Sequence, residues 1–261
     1  MLSFKNLGSG SSGNATLVQA SGIRTTRLLV DCGLGLKQLS ARLAQSQLND
    51  QALDAIFITH EHSDHIGCAR QFALQHRVPV WMSRGTYEAV GSPDFDGLLR
   101  LTADGQTIDL GELQITPFTV PHDAREPLQL TCSDGQFKLG VLTDLGHATA
   151  HVLAHLAGCH ALMLECNHDP DLLAASTYPA FLKKRVGGPY GHLSNEAAAD
   201  IARAIAHPGL VKVVAAHLSA HNNRPALALS ALTAAGAPLW GGPELLVADP
   251  SIGTDWVQVS T

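Results

Sequence analysis

The sequence predicts an α/β layered protein, and three observations predict it. Short apolar runs of strand length alternate with segments of helical periodicity, and residues 107 to 120 alternate as two antiparallel strands would. In addition, Asp31, His60, Asp144, Glu165 and His217 each stand at or just beyond the end of an apolar run. Sheet proteins gather reactive side chains at strand ends into one crevice, so the third observation bears on function as well as fold.

In chain order, Leu28-Leu29-Val30 reads as a buried strand that ends in the loop residues Asp31-Cys32-Gly33. Leu36, Leu39, Leu43 and Leu48 give residues 36 to 48 helical periodicity. Ala55-Ile56-Phe57-Ile58 is a second buried strand, and it runs directly into Thr59-His60-Glu61-His62-Ser63-Asp64-His65. A helix follows over 66 to 76, then a strand at Val78-Pro79-Val80-Trp81, then the antiparallel pair around Gly111. Leu139-Gly140-Val141-Leu142 ends at Thr143-Asp144, and Ala161-Leu162-Met163-Leu164 ends at Glu165. Ser194 caps a predicted helix over 195 to 206, with Glu196 and Asp200 early in it, where the helix dipole favours negative charge. A strand from Val211 to Ala215 leads to His217, and 226 to 235 is helical. No long linker, charge block or repeat interrupts the sequence, so residues 1–261 are expected to form a single domain.

Composition narrows the function. Hydrophobic residues make up 45% and charged residues 15%, enough for a substantial core. The net charge of −6 argues against a protein held on nucleic acid mainly by bulk positive charge. Neither an export signal at the N-terminus nor an apolar run of about 18 residues is present, so no membrane partner is expected. The five cysteines are scattered without a Cys-x-x-Cys pair, which points to reduced thiols in a cytoplasm rather than to a disulfide framework or zinc ribbon. Fourteen histidines, nearly as many as the 17 lysines and arginines, are the anomaly. Histidine is the commonest metal ligand and a near-neutral acid or base.

His60-x-His62-x-Asp64-His65 packs three imidazoles and a carboxylate into six residues. Two histidines two apart can point the same way from an extended segment, while Asp64 and His65 turn towards a second ion from the next bend. Such nitrogen and oxygen donors suit Zn²⁺, Mn²⁺ or Fe²⁺ rather than Ca²⁺. On this loop the sequence resembles the metallo-β-lactamase superfamily, and further motifs extend the resemblance in order along nearly the whole chain. The resemblance implies a four-layer αββα sandwich and a dinuclear site. It places His60, His62, His122 and Asp144 on one metal, and Asp64, His65, Asp144 and His217 on the other, with Asp31 orienting the metal loop. Two divalent ions, Zn or Mn, about 3.5–4 Å apart can hold a bridging hydroxide at neutral pH.

Three features point to the kind of hydrolase. The Gly8-Ser9-Gly10-Ser11-Ser12-Gly13-Asn14 loop offers backbone N–H groups and hydroxyls suited to phosphate oxygens, with Ser11, Ser12 and Asn14 as candidate substrate contacts. Glu165 and His192, the latter in Gly191-His192-Leu193-Ser194, resemble the leaving-group protonation pair of the phosphodiesterase branch that includes the tRNA 3′-processing nucleases. This makes Asp64, His192 and Glu165 the catalytic candidates beside the metals. Together with Asn222-Asn223-Arg224-Pro225, whose two asparagines are candidate substrate contacts, these motifs resemble the YycJ/WalJ-like group, associated with 5′→3′ exonuclease activity on DNA. The expected partner is therefore nucleic acid or another phosphodiester. Residues 169 to 190 have room only for a short lid, and Lys183-Lys184-Arg185 is the one compact basic run. The competing expectation is a thioester or lactone hydrolase of the glyoxalase II or lactonase type, which shares the metal loop. Only 44 residues follow His217, which leaves little room for the helical substrate-binding domain of such enzymes.

Overall fold

The structure is a computed structural model that describes residues 1–236 and 242–260. In chain order the first half forms β1 (Leu2–Gly8), β2 (Ala15–Ser21), β3 (Thr25–Val30), α1 (Leu36–Gln45), β4 (Ala55–Phe57), α2 (Ser63–Ile66), α3 (Ala69–His76), β5 (Val80–Ser83), α4 (Arg84–Ala89) and β6 (Leu99–Thr102). The second half forms β7 (Ile108–Asp109), β8 (Gln114–Thr119), β9 (Leu128–Ser133), β10 (Lys138–Leu142), α5 (Ala150–Leu156), β11 (Ala161–Glu165), α6 (Pro170–Ala175), α7 (Ala180–Val186), α8 (Asn195–Ala204), β12 (Lys212–Ala216), α9 (Pro225–Gly236), β13 (Glu244–Val247) and β14 (Val257–Val259).

These strands make two mixed sheets, ordered β14-β1-β2-β3-β4-β5-β6 and β13-β12-β11-β10-β9-β8-β7. The first is parallel from β3 to β6, the second from β10 to β13. Their inner faces share a core that includes Phe4, Val18, Leu28 and Phe57 from one sheet and Leu130, Val141, Met163 and Val214 from the other. Leu29 and Ile56 point the opposite way, into a second core with Leu39, Leu43 and Phe72 of α1 and α3. On the far side, Leu162, Leu164 and Val213 pack beneath Val152, Ile201 and Leu232 of α5, α8 and α9. The result is the expected four-layer αββα sandwich. Burial on both faces of the sheet explains why Leu28-Leu29-Val30 is apolar without alternation.

Parallel order brings the reactive residues to one edge. Asp31 follows β3, His60 follows β4, Asp144 follows β10, Glu165 ends β11 and His217 follows β12, all at the C-terminal ends of parallel strands. β9 is antiparallel to both β8 and β10, so β8 also delivers Val120-Pro121-His122 to that edge.

Two predicted elements differ. The helix over 66 to 76 is two helices, α2 and α3, broken at Gly67, which has a φ of +30°. A Cβ there would collide with the Cys32 carbonyl oxygen, and that oxygen accepts from Cys68 N–H at 3.0 Å. Helix thus begins inside the metal loop, with Asp64 and His65 on its first turn. The segment from 169 to 190, expected only as a short lid, forms two short helices, α6 and α7.

Candidate metal centre

The loop after β4 is held from beneath. Asp31 accepts from Thr59 N–H at 2.8 Å and sits 2.9 Å from the Thr59 hydroxyl through its other oxygen. That second oxygen lies 2.7 Å from His65 Nδ1. A carboxylate only accepts, so Nδ1 carries a proton and Nε2 is the nitrogen turned towards the donor cluster. The backbone is stitched as closely: Cys32 N–H donates to His65 O at 2.7 Å and Asn14 N–H to Asp64 O at 2.7 Å. Gly33 lies directly against the Asp64 carbonyl, where a Cβ has no room.

Two groups of donors face each other across Asp144. His60, His62 and His122 form one, and Asp64, His65 and His217 the other, with the ligand atoms of each group within 4.8 Å of one another. His60 Nε2 is 3.0 Å from His62 Nδ1, and His122 Nε2 is 3.4 Å from the same atom. His122 Nδ1–H donates to Gly191 O at 3.0 Å, which turns Nε2 towards the group. Asp144 Oδ2 lies 3.1 Å from His65 Nε2, while Oδ1 is 3.3 Å from His217 Nδ1 and 3.9 Å from His122 Nε2. Among the described residues Asp144 is therefore the one carboxylate in reach of both groups.

The electrostatics divide along the same line. Burial, helped by neighbouring His65, holds His60 well below the ordinary histidine range, and burial lowers His122 likewise. Both stay neutral with a lone pair free, the state a metal requires. Burial opposes charge on His65 and His217, yet Asp144 outweighs it, raising His65 well above the usual range and His217 to about 10. Those same histidines, against the cost of burying Asp144, keep its carboxyl well below the usual range. Asp144 Oδ2 and His217 Nε2 are buried and make no hydrogen bond. Orphaned buried polar atoms are rare, and here they belong to a carboxylate and an imidazole among further nitrogen and oxygen donors. The donor set fits divalent metal ions.

Beside this cluster stands a second device. Glu165 is fully buried. Its Oε1 lies 2.7 Å from His192 Nδ1 and 3.0 Å from His217 Nδ1, while Oε2 accepts from Leu145 N–H and Leu193 N–H at 3.0 and 3.2 Å. Burial works against charging His192, but Glu165 raises its pKa above the ordinary value. His192 opens onto a cavity of about 380 Å³ lined also by Ser11, His62, Asp64, Tyr178 and Arg185. A larger groove of about 820 Å³ runs beside β13 and β14, past Lys5 and Trp256, and contains none of these histidines.

The candidate substrate residues divide. Ser11 lines the cavity. Ser12 is exposed at the tip of the same loop and is not part of that lining. Asn14 is buried; its Oδ1 accepts from Gly10 N–H at 2.8 Å and its Nδ2 lies 3.3 Å from Asp64 Oδ2, so it braces the metal loop. Asn223 is consumed by an amide pair with Asn195 at 2.9 Å and by donation to Cys166 O at 2.7 Å, and Asn222 is buried outside the cavity lining. Arg185, from the compact basic run, stands on the cavity wall; sequence reasoning missed Thr59, Ser9, which accepts from His217 N–H at 2.7 Å, and the wall residues Asp123 and Tyr178. Their contacts are long-range, and no local motif marks them.

Residues 26–217 match the family model described as the beta-lactamase superfamily domain. The chain is 33% identical over 231 residues to exodeoxyribonuclease YycJ of Bacillus anthracis, covering 87% of this chain and 86% of that protein. It is 31% identical over 230 residues to exodeoxyribonuclease WalJ of Streptococcus pneumoniae serotype 2, covering 86% and 84%. In fold it resembles the metallo-β-lactamase fold protein YhfI from Bacillus subtilis, with a TM-score of 0.73 at 19% identity over 97% of this chain and 98% of that one. The chain belongs to the metallo-β-lactamase superfamily. It is a metal-dependent hydrolase, similar along most of its length to the YycJ and WalJ proteins.

Proposed function

We propose that this chain is a dinuclear phosphodiesterase acting on nucleic acid, a 5′→3′ exonuclease on DNA. One ion is held by His60, His62, His122 and Asp144, the other by Asp64, His65, Asp144 and His217, with Zn²⁺ or Mn²⁺ as the metal. Bound there, two such cations supply Lewis-acid charge and lower the pKa of water towards neutrality.

The observation that carries this reading is the Glu165–His192 pair. Cleaving a phosphodiester expels an alkoxide, which needs a proton as it leaves. His192 is tied to Glu165 through Nδ1 at 2.7 Å, and Glu165 favours its charged form, so Nε2 is the nitrogen left to give the proton. A thiolate leaves without such help, because an ordinary thiol ionises near about pH 8.5. The pair therefore favours phosphodiester over thioester chemistry. Asp31 sets the tautomer of His65, and Asn14 and Ser9 hold the loops of Asp64 and His217. The named exodeoxyribonuclease relatives support DNA as substrate. All five cysteines are free thiols, which fits a cytoplasmic setting, and no helix among the described residues is long and apolar enough to cross a membrane.

The test is digestion of DNA and RNA labelled at either end by Mn²⁺-loaded protein, with Asp64→Ala as control. Stepwise release of a 5′ label from DNA by the wild type alone is expected. Intact DNA after incubation with protein shown to carry two metals contradicts the reading.

A further inference from the structure

Between Glu165 and His192 the chain leaves the sandwich and contributes little to its cores. α6 buries only Leu173, and α7 buries no residue. This excursion nevertheless forms one wall of the catalytic cavity, through Tyr178, Leu182, Arg185 and Val186. Packing does not explain the composition of that wall. It carries Lys183-Lys184-Arg185, the one compact basic run in a chain of net charge −6. Beside that run, Phe181 is 74% exposed and Tyr190 59% exposed, two of the few large apolar side chains turned to solvent. Cations that track a backbone and aromatic faces that stack on bases are the two components of single-strand recognition.

Two side chains of the wall reach the cavity in usable form. Arg185 Nε donates to Asp123 Oδ2 at 2.5 Å, which draws the exposed guanidinium towards the cavity, and among the described residues its Nη groups have no hydrogen-bond partner. Asp123 itself lies 3.5 Å from His122 Nε2 and 3.9 Å from His62 Nε2, so the guanidinium is tethered one carboxylate away from the histidine cluster. Tyr178 is half-buried, its ring centroid 6.0 Å from that of His221, and its hydroxyl makes no hydrogen bond among the described residues. Lys183, by contrast, is committed to the Ala174 carbonyl at 2.5 Å.

We propose that this wall is a strand-binding subsite: Arg185 receives the phosphate flanking the scissile one, Tyr178 stacks on the adjacent base, and the site takes an unpaired nucleic-acid end. The proposal rests on the phosphodiesterase reading above. A cavity of about 380 Å³ is at the small end for ligand sites and suits a nucleotide unit rather than a duplex. A duplex end is too wide for this cavity, so a paired end must fray before it is cut.

The experiment measures KM for a 5′-labelled oligothymidylate across a series of salt concentrations, using metal-loaded wild type, Arg185→Ala, Arg185→Lys, Tyr178→Ala and Tyr178→Phe. Tyr178→Ala is expected to raise KM at least about fivefold, the scale of one lost stacking contact, while Tyr178→Phe keeps the ring and stays near wild type. Arg185→Ala is expected to raise KM and to flatten the dependence of log KM on log salt by about 0.7, one phosphate's share on a single strand, and Arg185→Lys to restore it. A purely structural role for Arg185 would not move that slope. An unchanged KM in Tyr178→Ala together with an unchanged slope in Arg185→Ala, while the wild type cleaves, overturns the subsite alone. A wild-type protein that carries two metals and cleaves duplex DNA but leaves the oligomer intact also overturns the subsite alone, whereas one that cleaves neither overturns the phosphodiesterase reading, and the subsite with it.

Discussion

Both oxygens of Glu165 are in use, one facing His192 and His217 and the other accepting two backbone N–H groups, so the carboxylate cannot turn away from the imidazole it charges. Replacing His192 by Ala removes the proposed proton donor and is expected to slow DNA cleavage by roughly 10²–10⁴-fold. On bis(4-nitrophenyl) phosphate, whose leaving group departs without a proton, the loss should be at least tenfold smaller; equal losses on both substrates would contradict the acid role. Asp31 acts one bond further out, through His65 and Thr59. Asp31→Ala should weaken metal binding by about 10–100-fold, read by competition with a chromogenic chelator, and leave the circular dichroism spectrum in place. At this scale the sequence was most legible where donors are consecutive, as in His60 to His65. It was least legible where a partner lies far away. Asn14 and Asn223 look like substrate contacts in a loop-by-loop reading, and only the fold reveals that Asp64 and Gly10 occupy the first and Asn195 and Cys166 the second.

The Gly8 to Asn14 loop is joined to the metal loop through Asn14 to Asp64, and to the loop after β12 through Ser9 to His217. Gly33 is the point of closest approach, with the Asp64 carbonyl where a side chain would begin. Gly33→Ala must push the metal loop aside, at a cost of roughly 1–3 kcal/mol. In a chain of this size that lowers Tm by about 2–4 °C per kcal/mol, with a parallel loss of metal affinity. Unchanged Tm and affinity in this variant would show that the contact is slack. Buried strands were read well because their apolar runs are unambiguous. The break at Gly67 was not, since it answers to the Cys32 carbonyl across the loop rather than to its own neighbours. α7 escaped for another reason: with no buried residue it lacks the apolar period by which a helix is recognised. Asp169 capping Leu172 N–H, with Pro170 in the first turn, was a readable start for α6.

For the whole molecule, stability resides between and outside the sheets while chemistry sits on one edge. Phe57 is fully buried between the sheets, and Phe57→Ala is expected to cost roughly 3–5 kcal/mol, lowering Tm by on the order of 10 °C in calorimetry. A small shift would mean that the inter-sheet core repacks freely. Ions bound to the folded state alone add about 2.7 kcal/mol at a hundredfold excess over Kd, so chelation should also lower Tm. The order of strands and helices along the chain carried the layer architecture, because buried parallel strands need helices on both outer faces. The assembly of six strand ends into one edge follows from that architecture, which is why so much of the candidate site is legible in the sequence. The most direct measurement titrates Mn²⁺ into metal-free protein while following release of the 5′ label from single-stranded DNA. Release should stay negligible at one ion per chain and reach its full rate at two. A full rate at one ion, or none at two, would contradict a dinuclear nuclease built around Asp144.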